Sequence, residues 1–180
     1  VAEDKLRVEV ERFGPDDRTI ARAVRGHPRH AAVKRRLEGK PRLLAVTLTE
    51  PARKTAKPTA PDRYRATWFD YKRNHALHVD GSLEDPDKIA VTESAEHPLP
   101  TREEFDAAVA ILEQDATFGA PVRDRALVPY PAMPPLAGGE QPDGSVERTL
   151  SVGLRPADKR RRNGHEIVGV NLVRGAVERF

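Results

Sequence analysis

Apolar positions along the chain follow two periods, one helical and one of alternating residues, and their order predicts the architecture. The clearest helical segment runs from Pro98 to Gln114. Thr101 followed three residues later by Glu104 forms a capping box, in which hydroxyl and carboxylate satisfy backbone N–H groups that would otherwise lack partners. Phe105, Ala108, Val109 and Leu112 then fall at i, i+3, i+4 and i+7. One face of this helix is therefore apolar and requires a sheet or another helix beneath it. Pro15-Asp16-Asp17 opens an earlier helical stretch with acids in its first turn, where the helix dipole favours them. Ile20, Val24, Val33 and Leu37 carry its apolar side past a break at Gly26-His27-Pro28, which predicts two short helices or one kinked helix.

The alternating period marks the strands. Leu6, Val8 and Val10 alternate with charged residues as in a short strand or extended lead-in, and Arg42 to Thr49 is rich in aliphatic and β-branched residues. Glu50 to Pro61 is a loop or edge, since its three prolines lack ladder donors. Arg63 to Tyr71 is the next strand, with Tyr64, Ala66 and Trp68 on one face and Arg65, Thr67 and Phe69 on the other. Lys72-Arg73-Asn74 turns it into Ala76 to Asp80, and Lys88 to Thr92 supplies a further short strand. Beyond the helix at Pro98, Pro121 to Tyr130 reads as a strand and the Pro- and Gly-rich Pro129 to Gly144 as an irregular loop. Val146 to Arg155 alternates again, although Arg148 breaks its apolar set. Lys159 to Gly164 is a basic turn, and Ile167 to Leu172 with Ala176 to Phe180 forms a last hairpin about Arg174-Gly175.

Set side by side, the two halves repeat one order: helix, strand, Pro-rich loop, strand, basic turn with Asn, strand, short final strand. Asn74 to Asp80 corresponds to Asn163 to Asn171 in this echo. The pattern predicts an α+β protein of two tandem small domains, residues 1–95 and 96–180, each an antiparallel β-sheet packed by a helix.

Composition narrows the chemistry. At 180 residues the chain is long enough to bury a core. Lys+Arg 31 against Asp+Glu 28 leaves a net charge of only +3, with the signs interspersed. That is a solvated surface and not a nucleic-acid footprint. Without cysteine there is no disulfide, thiolate metal site or Cys nucleophile. No apolar run approaches the roughly 20 residues of a transmembrane helix, and no signal peptide is visible. Because the chain starts at Val1, the expectation is a processed or trimmed form, secreted or held in the cell envelope.

Several segments carry a family resemblance. Arg42-Leu-Leu-Ala-Val-Thr-Leu-Thr-Glu50-Pro51-Ala-Arg53 resembles the strand and Glu-Pro-x-Lys/Arg element in the first of the paired small domains preceding the catalytic region of copper amine oxidases, and Arg63 to Leu83 resembles the hairpin that follows it there. Leu99-Pro-Thr-Arg-Glu-Glu104 is similar to the opening of the helix in the next small domain, and Glu147 through Asn163-Gly164-His165 to Leu172 resembles that domain's last hairpin. The resemblance implies a cystatin-like fold for both domains. Its departure is equally informative: Tyr64, Tyr71 and Tyr130 are the only tyrosines, and none follows an Asn as the topaquinone precursor does in that family. The family's copper and topaquinone belong to a catalytic domain that would have to follow Phe180. The expectation is thus a non-catalytic accessory or interaction module, without cofactor or metal in this chain. Its alternatives are a fragment of a full copper-dependent primary amine oxidase, or a stand-alone extracytoplasmic protein that binds a peptide or small ligand.

Candidate sites are few. His27/His30 and His75/His78 are the only close histidine pairs, and on a strand His75 and His78 face opposite sides, against a shared ion. Glu103, Glu104 and Asp106 are accounted for by the helix dipole. No serine sits in a nucleophile elbow and no Gly-rich loop follows a strand, so no catalytic residue is assigned. Tyr64 and Trp68 are candidates for ligand or partner contact if they form a platform, and sheet core otherwise. Arg160, Arg161 and Arg162 are candidates for gripping phosphate or anionic lipid, set against a solvated hairpin tip. A protein partner or a homodimer is expected at the exposed sheet edges of two small domains.

Overall fold

The computed structural model describes residues 14–49, 60–138, 146–158 and 165–179. The expected strand at Leu6 to Val10, most of the loop from Glu50, the end of the loop before Gly144, and the basic turn with Arg160, Arg161 and Arg162 lie outside them. The architecture is α+β: two four-stranded antiparallel sheets with a few short helices, consistent with two small tandem domains. In the first, α1 (Asp17–Arg25), a 3₁₀ turn (His27–Arg29) and α2 (Ala31–Lys34) precede β1 (Arg42–Thr49), β2 (Arg63–Asp70), β3 (His75–Ser82) and β4 (Ala90–Ser94). In the second, α3 (Arg102–Leu112) and α4 (Gly119–Arg123) precede β5 (Leu127–Leu136), β6 (Thr149–Pro156), β7 (Glu166–Asn171) and β8 (Ala176–Arg179). Each sheet is a simple meander, its strands neighbouring one another in chain order.

The helices form where caps and apolar stripes coincide. Asp16 caps α1 by accepting from the Thr19 N–H at 2.7 Å, and Pro28 sits in the turn that separates α1 from α2. Ala23, Val24 and Val33 then cover Tyr64, Ala66, Trp68, Leu77 and Val79 on one face of the first sheet. In the second unit the capping box of α3 is complete, and Ala108 and Leu112 with Phe118 and Val122 cover Leu150, Val152, Leu154, Val168 and Val170. Alternation places each set on one face because successive strand residues point to opposite sides.

Two expectations at the start of the second sheet need correction. Pro121 to Arg123 belongs to α4 and not to a strand. Asp115 Oδ1 accepts from the N–H groups of Thr117 and Phe118 at 2.8 and 2.9 Å, turning the chain into that helix. Pro121 falls within its first turn, where no N–H partner is needed. Pro129 to Leu136 is strand and not irregular loop. It is an edge strand, paired on one side with β6, and there proline costs no ladder bond on the outer side.

The expected match of Asn74 with Asn163 lies outside the described residues, but one turn chemistry recurs in each sheet, at different places in the meander. Between β2 and β3, Asp70 Oδ1 accepts from Lys72 and Arg73 N–H at 2.9 and 3.2 Å, and Asn74 closes the turn at φ 52°. Between β7 and β8, Asn171 Oδ1 accepts from Val173 and Arg174 N–H at 2.9 Å each, and Gly175 closes at φ 65°. The matched turns are thus Asp70–Asn74 and Asn171–Gly175, joining second to third strand in one sheet and third to fourth in the other. A second echo is a tyrosine laid over a glycine of the neighbouring strand: Tyr64 opposite Gly81, and Tyr130 opposite Gly153.

A Cβ added at Gly81 would lie 2.5 Å from Tyr64 Oη and 2.6 Å from its Cζ, against a ring that is 1% exposed and cannot swing away. Gly81→Ala is expected to destabilise by about 1–3 kcal/mol through overpacking. Gly138→Ala, with nothing within 4 Å of its new Cβ, is expected to stay within about 0.5 kcal/mol of wild type in the same denaturant titration.

Candidate functional site

Among the described residues, three convergences of polar side chains bear on function: a joint between the two units, a cluster in the core of the first, and a cleft at the end of its sheet.

The joint is built from the β2–β3 hairpin on one side and from α3 and the lead into β6 on the other. Glu104 is the third residue of α3, where the capping box holds its Oε2 3.0 Å from the Thr101 N–H. Arg148 occupies the inward position that broke the apolar alternation of its strand. Its Nε donates to Glu104 Oε1 at 2.6 Å, Nη2 to Oε2 at 2.8 Å, and Nη1 to the Pro98 carbonyl at 2.9 Å. Both side chains are fully buried. From the first unit, Tyr71 Oη donates to Glu104 Oε1 at 2.5 Å, and the guanidinium stacks over the Phe69 ring at 4.6 Å. Asn74 completes the seam, donating to the Val146 carbonyl at 2.8 Å and accepting from the Arg148 N–H at 3.2 Å. His97 packs edge-on against Phe69, its ring centroid 5.3 Å away.

Burial pushes the Glu104 carboxyl up, but the hydrogen bonds from Arg148 and Tyr71, the Arg148 charge and the Thr101 backbone outweigh it and hold the group below the ordinary carboxylate value. Burial, then the Glu104 carboxylate, raise the Tyr71 phenol, which stays protonated and donating. Burial and the Arg148 charge lower His97. Glu104 accepts two bonds on each oxygen, so no lone pair is left to take a proton from a substrate. Chemically this is a fastening, with guanidinium and carboxylate satisfied by one another and by both units.

In the first core, His27 is 2% exposed and links the two aromatic residues singled out in the sequence. Trp68 Nε1–H points at His27 Nδ1 at 3.4 Å, which assigns the ring proton to Nε2, donating to Tyr64 Oη at 2.8 Å. Burial and the neighbouring His30 lower His27 to about 4. Tyr64 and Trp68 are brought together, therefore, but as core: 1% and 9% exposed. Tyr64 also borders the cleft.

That cleft, of about 740 Å³, opens where β2 begins and β3 ends, beside Asp62, Tyr64, Gly81, Glu84 and Lys88. Arg65 and Asp80 on its wall neutralise each other through bonds of 2.8 and 3.0 Å. Asp62 differs, because one of its carboxylate oxygens is buried without a hydrogen-bond partner among the described residues. Among the described residues no group of three or more His, Cys, Asp or Glu converges as metal ligands, and no helix is long and apolar enough to cross a membrane.

The sequence reading missed Glu104 and Arg148 as partners, although each left a signal. Glu104 was assigned to the cap and the dipole, and Arg148 was recorded as a break in alternation. An arginine at an inward strand position requires a buried acceptor, and a capping-box glutamate is a buried acceptor of fixed geometry. No family model matches the chain, and no curated protein matches it significantly.

Arg148→Met is expected to destabilise by about 3–5 kcal/mol, because it leaves the Glu104 carboxylate buried and uncompensated. Adding Glu104→Leu should recover much of that loss, a non-additivity measurable by denaturant unfolding of the four members of the cycle. Acid should act through His27 as well. Its folded pKa is depressed, so the unfolded chain binds the proton more readily, and stability present above pH 6.5 is lost as pH falls toward 4. The loss should reach about 3 kcal/mol at most, and His27→Phe should flatten that part of the pH–stability profile.

Proposed function

We propose that the chain is a non-catalytic accessory and interaction module, similar in arrangement to the paired small domains that precede the catalytic region of copper amine oxidases. The observation that carries this reading is the joint. Glu104, Arg148, Tyr71 and Asn74 are the side chains with the most evident chemistry, and they are used to hold two sheets in one fixed relation. A fixed relation between two sheet units is what a module presenting a composite surface to a partner requires. The repeated order of helices followed by a four-stranded meander supports the same reading.

Affinity capture of the tagged chain from its native cell or medium, with mass spectrometry of what is retained at moderate salt, tests it. Co-purification of a topaquinone-containing oxidase chain is the expected result. Retention of no other chain would defeat the accessory role.

The cleft favours a second reading, a binder of a peptide or small ligand. Its support is the buried Asp62 oxygen, which has no hydrogen-bond partner among the described residues and which a donor group on a ligand would satisfy. A saturable thermal shift with a cationic peptide, lost in Asp62→Asn, would favour this reading over the first.

A further inference from the structure

The four outer edges of the two sheets are not equivalent, and three are guarded. β5 carries Pro129, Pro131, Pro134 and Pro135, which have no N–H to offer an incoming strand. β8 has four residues, with Glu178 tied to Arg174 and Arg179 to Glu166. β4 has five, and its Glu93 is drawn into an ion pair with Arg36 at 3.4 Å. Short strands, prolines and charges are the devices by which sheet edges avoid pairing with other chains. β1 is the least guarded: eight residues, Arg-Leu-Leu-Ala-Val-Thr-Leu-Thr, without proline, its single charge at the first position and its one register irregularity near the start, between Leu43 and Ala45. Among the described residues no strand lies beyond it.

The irregularity in β1 leaves one stretch regular. Its register with β2 shifts between Leu43 and Ala45 and then holds through Ala45↔Thr67, Val46↔Ala66, Thr47↔Arg65, Leu48↔Tyr64 and Thr49↔Arg63. The five residues from Ala45 to Thr49 are uncharged, all but Leu48 β-branched or small, and self-complementary when reversed about their centre. Thr47 then faces Thr47 and Val46 faces Leu48, so the apolar side of one strand meets the apolar side of the other. Arg65, the next residue inward from the axis, is already neutralised by Asp80, so no like-charge repulsion opposes the approach.

We propose that β1 pairs antiparallel with β1 of a second copy of this chain about a two-fold axis at Thr47, joining two four-stranded sheets into one of eight. Backbone bonds supply the attraction, while the isologous arrangement closes the assembly at two, leaving the guarded edges outermost. This partner is independent of any oxidase or ligand, so the proposal stands or falls apart from the accessory reading.

Light scattering across a concentration series tests it against a subunit mass of 20.0 kDa. Wild type is expected at twice that mass. Thr47→Lys is expected at the subunit mass with an unchanged circular dichroism spectrum, because Thr47 is exposed and two lysines would meet at the axis. Since the chain has no cysteine, Thr47→Cys introduces a single thiol, and opposed strand positions lie within disulfide reach. Mild oxidation should yield a covalent dimer from Thr47→Cys and none from Met133→Cys, an equally available thiol on the proline-guarded edge. A monomer at every concentration, a dimer that Thr47→Lys leaves intact, or equal cross-linking at both positions would overturn the proposal. Pairing of the edge by another part of the same chain gives the first of these results. Should Thr47→Lys fail to fold, the cysteine pair decides alone.

Discussion

The Glu104–Arg148 pair is the constraint on which the relation between the two halves depends. Either charge alone in that position would carry a desolvation penalty of several kcal/mol, so neither residue is tolerable without the other. Their geometry is fixed from both sides: the capping box at the start of α3 presents the carboxylate, and the residue just before β6 presents the guanidinium. Tyr71 and Phe69 then bring the first unit onto the pair, one by donating to Glu104 and the other by offering its ring face to Arg148. Without that hairpin the ion pair would be open to water on one side, and without the ion pair Tyr71 would lose its acceptor and Phe69 the cation over its ring. Either unit therefore completes the other's satisfaction.

Much of the fold was legible because it rests on local rules. The cap at Thr101, the break at Gly26-His27-Pro28 and the alternation of Tyr64, Ala66 and Trp68 are decided by residues within a few positions of one another, and each has its expected counterpart in the structure. The errors fell where a local rule had two outcomes. Pro121 is compatible with the first turn of a helix as well as with a strand boundary, and the aspartate at Asp115 decided between them. Prolines from 129 to 135 argue against a central strand but not against an edge strand, and whether a strand is at an edge is a property of the whole sheet.

The joint was less legible, for a different reason. A buried ion pair between residues 44 apart in sequence leaves two separate marks, and each has a sufficient local account: acids belong at helix starts, and a charged residue on a strand usually faces water. Only the coincidence of a fully inward Arg148 with a second unit bearing a capping glutamate removes those accounts. His27 is similar. A histidine in a Gly-His-Pro break reads as turn chemistry, yet the turn delivers it between Tyr64 and Trp68, where its two nitrogens tie both aromatics into the core.

The distribution of polarity within the molecule follows from these two placements. The first sheet is closed on one face by its helices and at one end of the other face by the second unit, so what it leaves to solvent is the Thr47–Arg65–Asp80 side of that face, the cleft beyond Tyr64, and the outer edge of β1. The second sheet is closed by α3 and α4, and its edges are proline-rich or short and charged. Among the described residues the open sheet edge and the cleft therefore both lie on the first unit, while the second supplies the arginine and glutamate that anchor it. An anchor that buries its own charges offers little to an outside molecule, but it keeps the open edge and the cleft from drifting relative to the rest of the chain, and a loss of that anchor would be felt at sites it never touches.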